Sequence, residues 1–227
     1  MARRKKRSYS AALQRPAPRS GEISGDTFLI VVEGEGTEIE YFTGLRDTLL
    51  RRKAFEVEVH HPPVTDPVRL VQAAIDSKAA RAEAASESMA VNYDQVWVVM
   101  DRERQHCERR EQIPKARELA AENGILIAVS NPCFEFWLML HYRDRPGPFR
   151  DSKHCHSELR KHIPNYSKTR LPLAELLERD RIGKATKRAK QCENYHADSG
   201  GDGNPSTEVY KLLLALNASV PQERRII

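Results

Sequence analysis

Nowhere among the 227 residues does an apolar run approach the roughly 20 residues that a membrane-spanning helix needs. The basic start, Arg3-Arg-Lys-Lys-Arg7, is followed by no apolar stretch of the secretory-signal kind, so the chain reads as a soluble, cytoplasmic protein with no membrane role. Cysteine is scarce: Cys107, Cys133, Cys155 and Cys192 form no Cys-x-x-Cys pair and no disulfide framework, which fits reduced thiols. His154-Cys155-His156 together with Cys192-x-x-x-His196 offers zinc-type ligands, but at loose spacing, and scattered surface residues are the simpler reading. Internal repeats are lacking as well. A chain of this length is expected to bury one core, with room for an appendage rather than a second independent domain.

What is present falls into three stretches. Residues 1–25 are rich in Arg, Lys, Ser and Pro without hydrophobic periodicity, and read as a disordered basic tail. Residues 26–143 read as an α/β core with strands expected over 27–32, 55–60, 95–100 and 125–129. The first, third and fourth are continuous apolar runs suited to buried parallel strands, whereas the second alternates with a period of two and belongs nearer an edge. Thr37-Glu-Ile-Glu40 reads as a capping box opening a helix to about residue 53, Asp66-Pro67 as an N-cap and first helical position, and Gly124 as the stop of a helix over 111–122. Asn131-Pro132 reads as a further cap opening a packed helix over 133–141, with Trp137, Leu138 and Leu140 in the core. Residues 144–227 read as a helical C-terminal extension packed on the core, with helices over 152–162, 173–180, 182–197 and 206–217. The last is capped by Pro205-Ser206-Thr207, and no further strand is expected. The alternation predicts a mostly parallel four-stranded sheet flanked by helices, with sites at the carboxyl ends of the strands.

Charge supplies the chemistry. The net charge is +5, with basic residues gathered in the first twenty positions and over 184–190, which suits phosphate backbones as well as it suits a solvated tail and helix face. The loop Glu33-Gly-Glu35-Gly after the first strand is not a phosphate cradle: a P-loop needs Gly-Lys-Ser or Gly-Lys-Thr, and a dinucleotide fingerprint needs a third glycine. Acids at a helix start repel phosphate unless a cation lies between them. Glu33 either ends a strand or faces a ligand; Glu35 projects from the turn; Glu40 is chiefly a capping residue; Glu38 lies in the first helical turn, where the macrodipole favours anions. The third strand ends in Asp101-Arg-Glu103, two carboxylates that an extended chain would point to one side. If the first and third strands adjoin, Glu33 and Asp101 emerge about 5 Å apart, resisting ionisation unless something positive neutralises them. Oxygen-only ligands suit Mg²⁺ or Mn²⁺. Asn131 and Glu135, after the fourth strand, either face this site or act as a cap and as the buried partner of a basic residue. Lys168, in Tyr166-Ser-Lys-Thr-Arg170, either places a cation on a phosphate or is an idle loop lysine.

Taken together, Val32-Glu-Gly-Glu-Gly-Thr-Glu-Ile-Glu-Tyr-Phe42, Val99-Met-Asp-Arg-Glu103, Ser130-Asn-Pro-Cys-Phe-Glu-Phe-Trp-Leu-Met-Leu-His141 and Asn204-Pro-Ser-Thr-Glu-Val209 resemble the RloB-like family, with a Toprim-like core related to the overcoming-lysogenization-defect nucleases. The resemblance implies a metal-dependent nuclease of bacterial antiphage defence acting on DNA or RNA, often beside an SMC/ABC-type ATPase partner. It implies Glu33, Asp101 and Glu103 as metal-binding acids, with Glu38 added. The usual Toprim pattern is Asp-x-Asp, and Glu103 departs from it by one methylene. Beside the nuclease stands a second expectation, a catalytically silent Toprim-like binding or regulatory subunit of an ATPase complex; nucleotide transfer in the manner of primases is a third and weaker one.

Overall fold

Strands that are apolar on both faces need cover on both sides. The computed structural model describes residues 26–50, 56–87, 89–103, 107–144, 147–199, 203–220, 222 and 225–227. Strands β1 (Thr27–Val32), β2 (Glu56–His60), β3 (Gln95–Asp101), β4 (Leu126–Asn131) and β5 (Ser206–Thr207) form one sheet in the order β2-β1-β3-β4-β5. The first four run parallel, and β5 is antiparallel to β4. As its alternation predicts, β2 lies at the edge.

The period-two geometry of β1 and β3 sorts their side chains between two layers. Leu29, Val31, Val98 and Met100 meet Leu70, Val71, Ala74, Ala116 and Ala120 of α2 (Pro67–Ser86) and α3 (Cys107–Glu122). Phe28, Ile30, Val32 and Val99 face the other layer. It is built from α1 (Thr37–Leu45), which runs on into a π-helical stretch (Arg46–Leu50), and from α4 (Glu135–Met139). The same layer includes α5 (Ser152–Leu159), α6 (Leu173–Leu176), α7 (Arg179–Ser199) and α8 (Val209–Ala218). Residues beyond 150 thus share one hydrophobic cluster with β1, β3 and α1. Asp66 caps α2 as expected, accepting from the Arg69 amide at 2.9 Å with Pro67 in the first turn.

Tertiary packing overrides local signals at several places. Thr37 is the first residue of α1 rather than its cap; its hydroxyl lies 2.9 Å from the Tyr166 hydroxyl and 3.5 Å from Glu135 Oε1. Glu40 does not complete a capping box either: its Oε2 is buried and makes no hydrogen bond among the described residues. Asn131-Pro132 ends β4 rather than opening a helix, with Asn131 Nδ2 donating to the Gly203 carbonyl at 2.9 Å, and the helix expected over 133–141 is confined to Glu135–Met139. Trp137, Leu138 and Leu140 are fully buried all the same. Ser206 and Thr207 are a fifth strand instead of a cap, joined to β4 through Ser130 Oγ and Thr207 Oγ1 at 2.8 Å, and the last helix begins at Val209. Cys155 and Cys192 are fully buried, not surface residues. The expected basic tail, the end of the first helix at residue 53 and the first residue of the second strand lie outside the described residues.

Below α4, His141 is wedged in the core. Its Nδ1 is 3.0 Å from the Trp137 carbonyl, which only accepts, so the proton sits on Nδ1 and Nε2 accepts from Tyr41 Oη at 3.4 Å. Burial holds the imidazole down to about 4 from its ordinary 6.5. The unfolded chain therefore binds this proton before the folded one does, so the stability is fully present above pH 6.5 and is lost as pH falls toward 4. We expect urea unfolding to show a loss of up to about 3 kcal/mol from this group across that window, and His141→Gln to flatten the dependence; the same slope in the variant would refute the assignment.

Candidate functional site

Parallel pairing of β1 with β3 sets Val32 opposite Val99, so the residues just beyond share one edge of the sheet. The Glu33 amide donates to the Val99 carbonyl at 3.1 Å, and the Asp101 amide donates to Glu33 Oε2 at 3.1 Å. Glu38 joins them from the first turn of α1 by folding its carboxylate over Gly34. A Cβ at position 34 would lie 2.1 Å from Glu38 Oε2, so this glycine is required for space rather than for its backbone angles. Glu135, in the first turn of α4, is a further buried acid. Glu103 reaches the cluster differently from the sequence expectation. Its φ of 38° is in the left-handed region, so the chain is not extended there and strand alternation does not align it with Asp101. Its amide donates to the Pro132 carbonyl at 3.1 Å, and among the four acids that act on Asp101 it is the weakest. Glu35 stands apart, exposed, with His61 Nε2 3.9 Å away.

Lys168 is brought in by the C-terminal segment. The turn bridged by Ser167 and Arg170 lays the Lys168 carbonyl oxygen where a Cβ on Gly36 would lie, 2.3 Å away, and the Lys168 charge acts on Glu38. Asn131 is turned the other way, toward Gly203 and a shallow cleft that it shares with Arg102, Arg117 and Glu208. Sequence reasoning missed Cys133 and Tyr166 beside Glu135, and read Thr37 only as a helix cap and His156 only as a loosely spaced zinc-type ligand, though both also meet Glu135. The Tyr166 hydroxyl donates to Glu135 Oε1 and His156 Nε2 lies 3.0 Å from Oε2. No spacing rule could have found them, because they come from a turn, a helix start and two later elements.

Burial and mutual repulsion dominate the electrostatics. Desolvation pushes Asp101 well up, and the charges of Glu38, Glu135, Glu33 and Glu103 push it further. Burial, then Glu135, raises Glu38 to about 7 from 4.5, against the pull of its own backbone amide and of Lys168. Glu135 goes the other way: burial would raise it, but His156, Tyr166 and Cys133 outweigh burial and hold it at about 2. One carboxylate thus stays ionised while two neighbours resist, which leaves the site short of positive charge. Glu33, Glu38, Asp101 and Glu103 offer only carboxylate oxygens, the donor type that hard divalent cations take. Among the described residues, Cys133, Glu135 and His156 are the group whose ligand atoms all lie within 4.8 Å of one another, close enough to hold a metal ion.

Two substitutions test this geometry. Because folded Glu38 keeps its proton to about 7 while the unfolded chain releases it near 4.5, its contribution favours folding at low pH and is lost as pH rises through that window. In metal-free buffer at pH 8, Glu38→Gln is expected to raise the unfolding free energy by on the order of 1–3 kcal/mol, and the gain should vanish near pH 5; a loss of stability at pH 8 would contradict it. Gly36→Ala, which forces the Lys168 turn outward, is expected to lower stability by about 1–3 kcal/mol in thermal melts.

No curated protein and no solved structure matches the chain. A family model described as RloB-like protein matches residues 28–216, a span that runs from β1 into α8 and takes in Glu33, Glu38, Asp101, Glu103, Cys133, Glu135, His156 and Lys168. The chain belongs to the RloB-like family.

Proposed function

We propose that this protein is a divalent-metal-dependent nuclease that hydrolyses phosphodiester bonds in DNA or RNA on a Toprim-like core. The observation that carries the reading is the meeting of Glu33, Asp101 and Glu38 at the ends of two adjoining parallel strands, two of them held back from ionisation. Strand ends of an open parallel sheet are where ligands bind, and crowded carboxylates there need a cation. Glu33, Glu38 and Asp101, with Glu103, would hold Mg²⁺ or Mn²⁺, which when bound polarises a phosphoryl group and acidifies water. Lys168 supplies positive charge beside Glu38, where a substrate phosphate would come. The basic run on α7 gives weaker support, since Lys184 and Arg188 pair with Asp180 and Asp144. Antiphage defence and an SMC/ABC-type ATPase partner rest on the family alone.

Burial of one Asp101 carboxylate oxygen, Oδ1, favours a second reading, a silent Toprim-like subunit that binds or regulates the ATPase. The two part on one experiment. The protein, purified alone and with the product of the neighbouring ATPase gene, is assayed with Mg²⁺ or Mn²⁺ on duplex DNA, single strands and tRNA. The nuclease reading expects cleavage that Asp101→Asn lowers by well over the roughly 100-fold typical of changes outside the ligand set, with the variant's thermal melt intact. Partner binding without cleavage of any substrate would install the silent subunit instead.

A further inference from the structure

We infer that Cys133, Glu135 and His156 form a zinc-class metal site, chemically separate from the oxygen-only acid cluster beside it. The three ligand types are thiolate, carboxylate and imidazole, a set that selects a borderline-soft ion and that Mg²⁺ does not use. Their ligand atoms already lie within 4.8 Å of one another, with His156 Nε2 and Glu135 Oε2 at 3.0 Å. Zinc bonds of about 2.0–2.3 Å at tetrahedral angles would set such atoms roughly 3.4–3.6 Å apart. Little movement is needed to close the group around an ion.

Three independent features point the same way. His156 Nε2 is buried and faces Glu135 Oε2 at 3.0 Å without a geometrically aligned hydrogen bond to any described residue. The two carboxylate oxygens of Glu135 are divided: Oε1 is held by the Tyr166 hydroxyl, itself 2.9 Å from the Thr37 hydroxyl, and Oε2 is turned to His156. That is the support a ligating carboxylate receives from groups outside the coordination sphere. Finally, Cys133 is fully buried while the His156 side chain is 18% exposed, so the group has a dry floor and its imidazole lies nearest the surface. Three protein ligands and one open position is the pattern of catalytic zinc rather than of a closed structural site. Placed there, the ion would tie the turn before α4 to α5, and it would neutralise Glu135, the acid that bears most strongly on Glu38 and that Tyr166 already holds.

The test uses the full chain, free of any histidine tag. Protein equilibrated with Zn²⁺ and passed into metal-free buffer should carry about one zinc per chain by elemental analysis, and Co²⁺ in its place should give a thiolate-to-metal charge-transfer band. Cys133→Ser and His156→Gln should each abolish the retained zinc, and Cys133→Ser the band, while Asp101→Asn keeps both. Should Cys133→Ser fail to fold by circular dichroism, His156→Gln, at the more exposed ligand, carries the same zinc measurement. A wild-type chain that retains no zinc, or zinc that survives His156→Gln, overturns the site. Because the readout is metal content and a spectrum, this outcome is independent of whether the protein cleaves nucleic acid.

Discussion

The Asp101 amide donating to the Glu33 carboxylate is possible only because β1 and β3 are parallel neighbours, and this one bond brings like charges together. Two unit charges about 4 Å apart at an effective dielectric constant near 20 repel by about 4 kcal/mol, a large fraction of a domain's net stability. The fold answers by leaving Asp101 and Glu38 reluctant to ionise and by giving Glu135 its own imidazole and phenol partners. An edge built this way is more comfortable with a cation than without one. The carboxylates that limit the stability of this edge are therefore the ones that the proposed function assigns to the ion.

Space is the second constraint. Gly34 makes room for the Glu38 carboxylate and Gly36 for the Lys168 backbone, so the short loop after β1 is a place where two other parts of the chain press in. Neither glycine has a positive φ; each lacks a side chain because something else occupies that volume. The segment beyond residue 150 is likewise part of the site, contributing His156, Tyr166 and Lys168 from a layer that also covers one face of the sheet.

Much of this could be read in the chain. Continuous apolar runs mark β1, β3 and β4, alternation marks the β2 edge, Asp66-Pro67 marks the start of α2, and Gly124, at φ 59°, follows the end of α3. The meeting of Glu33 with Asp101 was legible as well, conditional on the two strands adjoining. What misled was local chemistry with more than one use. Thr37 can cap a helix or bond Tyr166, and Asn131-Pro132 can open a helix or end a strand; two-residue β5 has too little pattern to announce itself.

By itself the sequence determined the four parallel strands and the helices between them, and that acids gather at strand ends, because periodicity and turn residues act over a few positions. Only the tertiary structure decided which of those acids share a site, why Glu135 remains charged while Asp101 and Glu38 do not readily become so, and that Cys133 and His156 stand beside them. The physical reason is that burial and Coulomb repulsion depend on distances through space, and the side chains that set them come from elements more than a hundred residues apart.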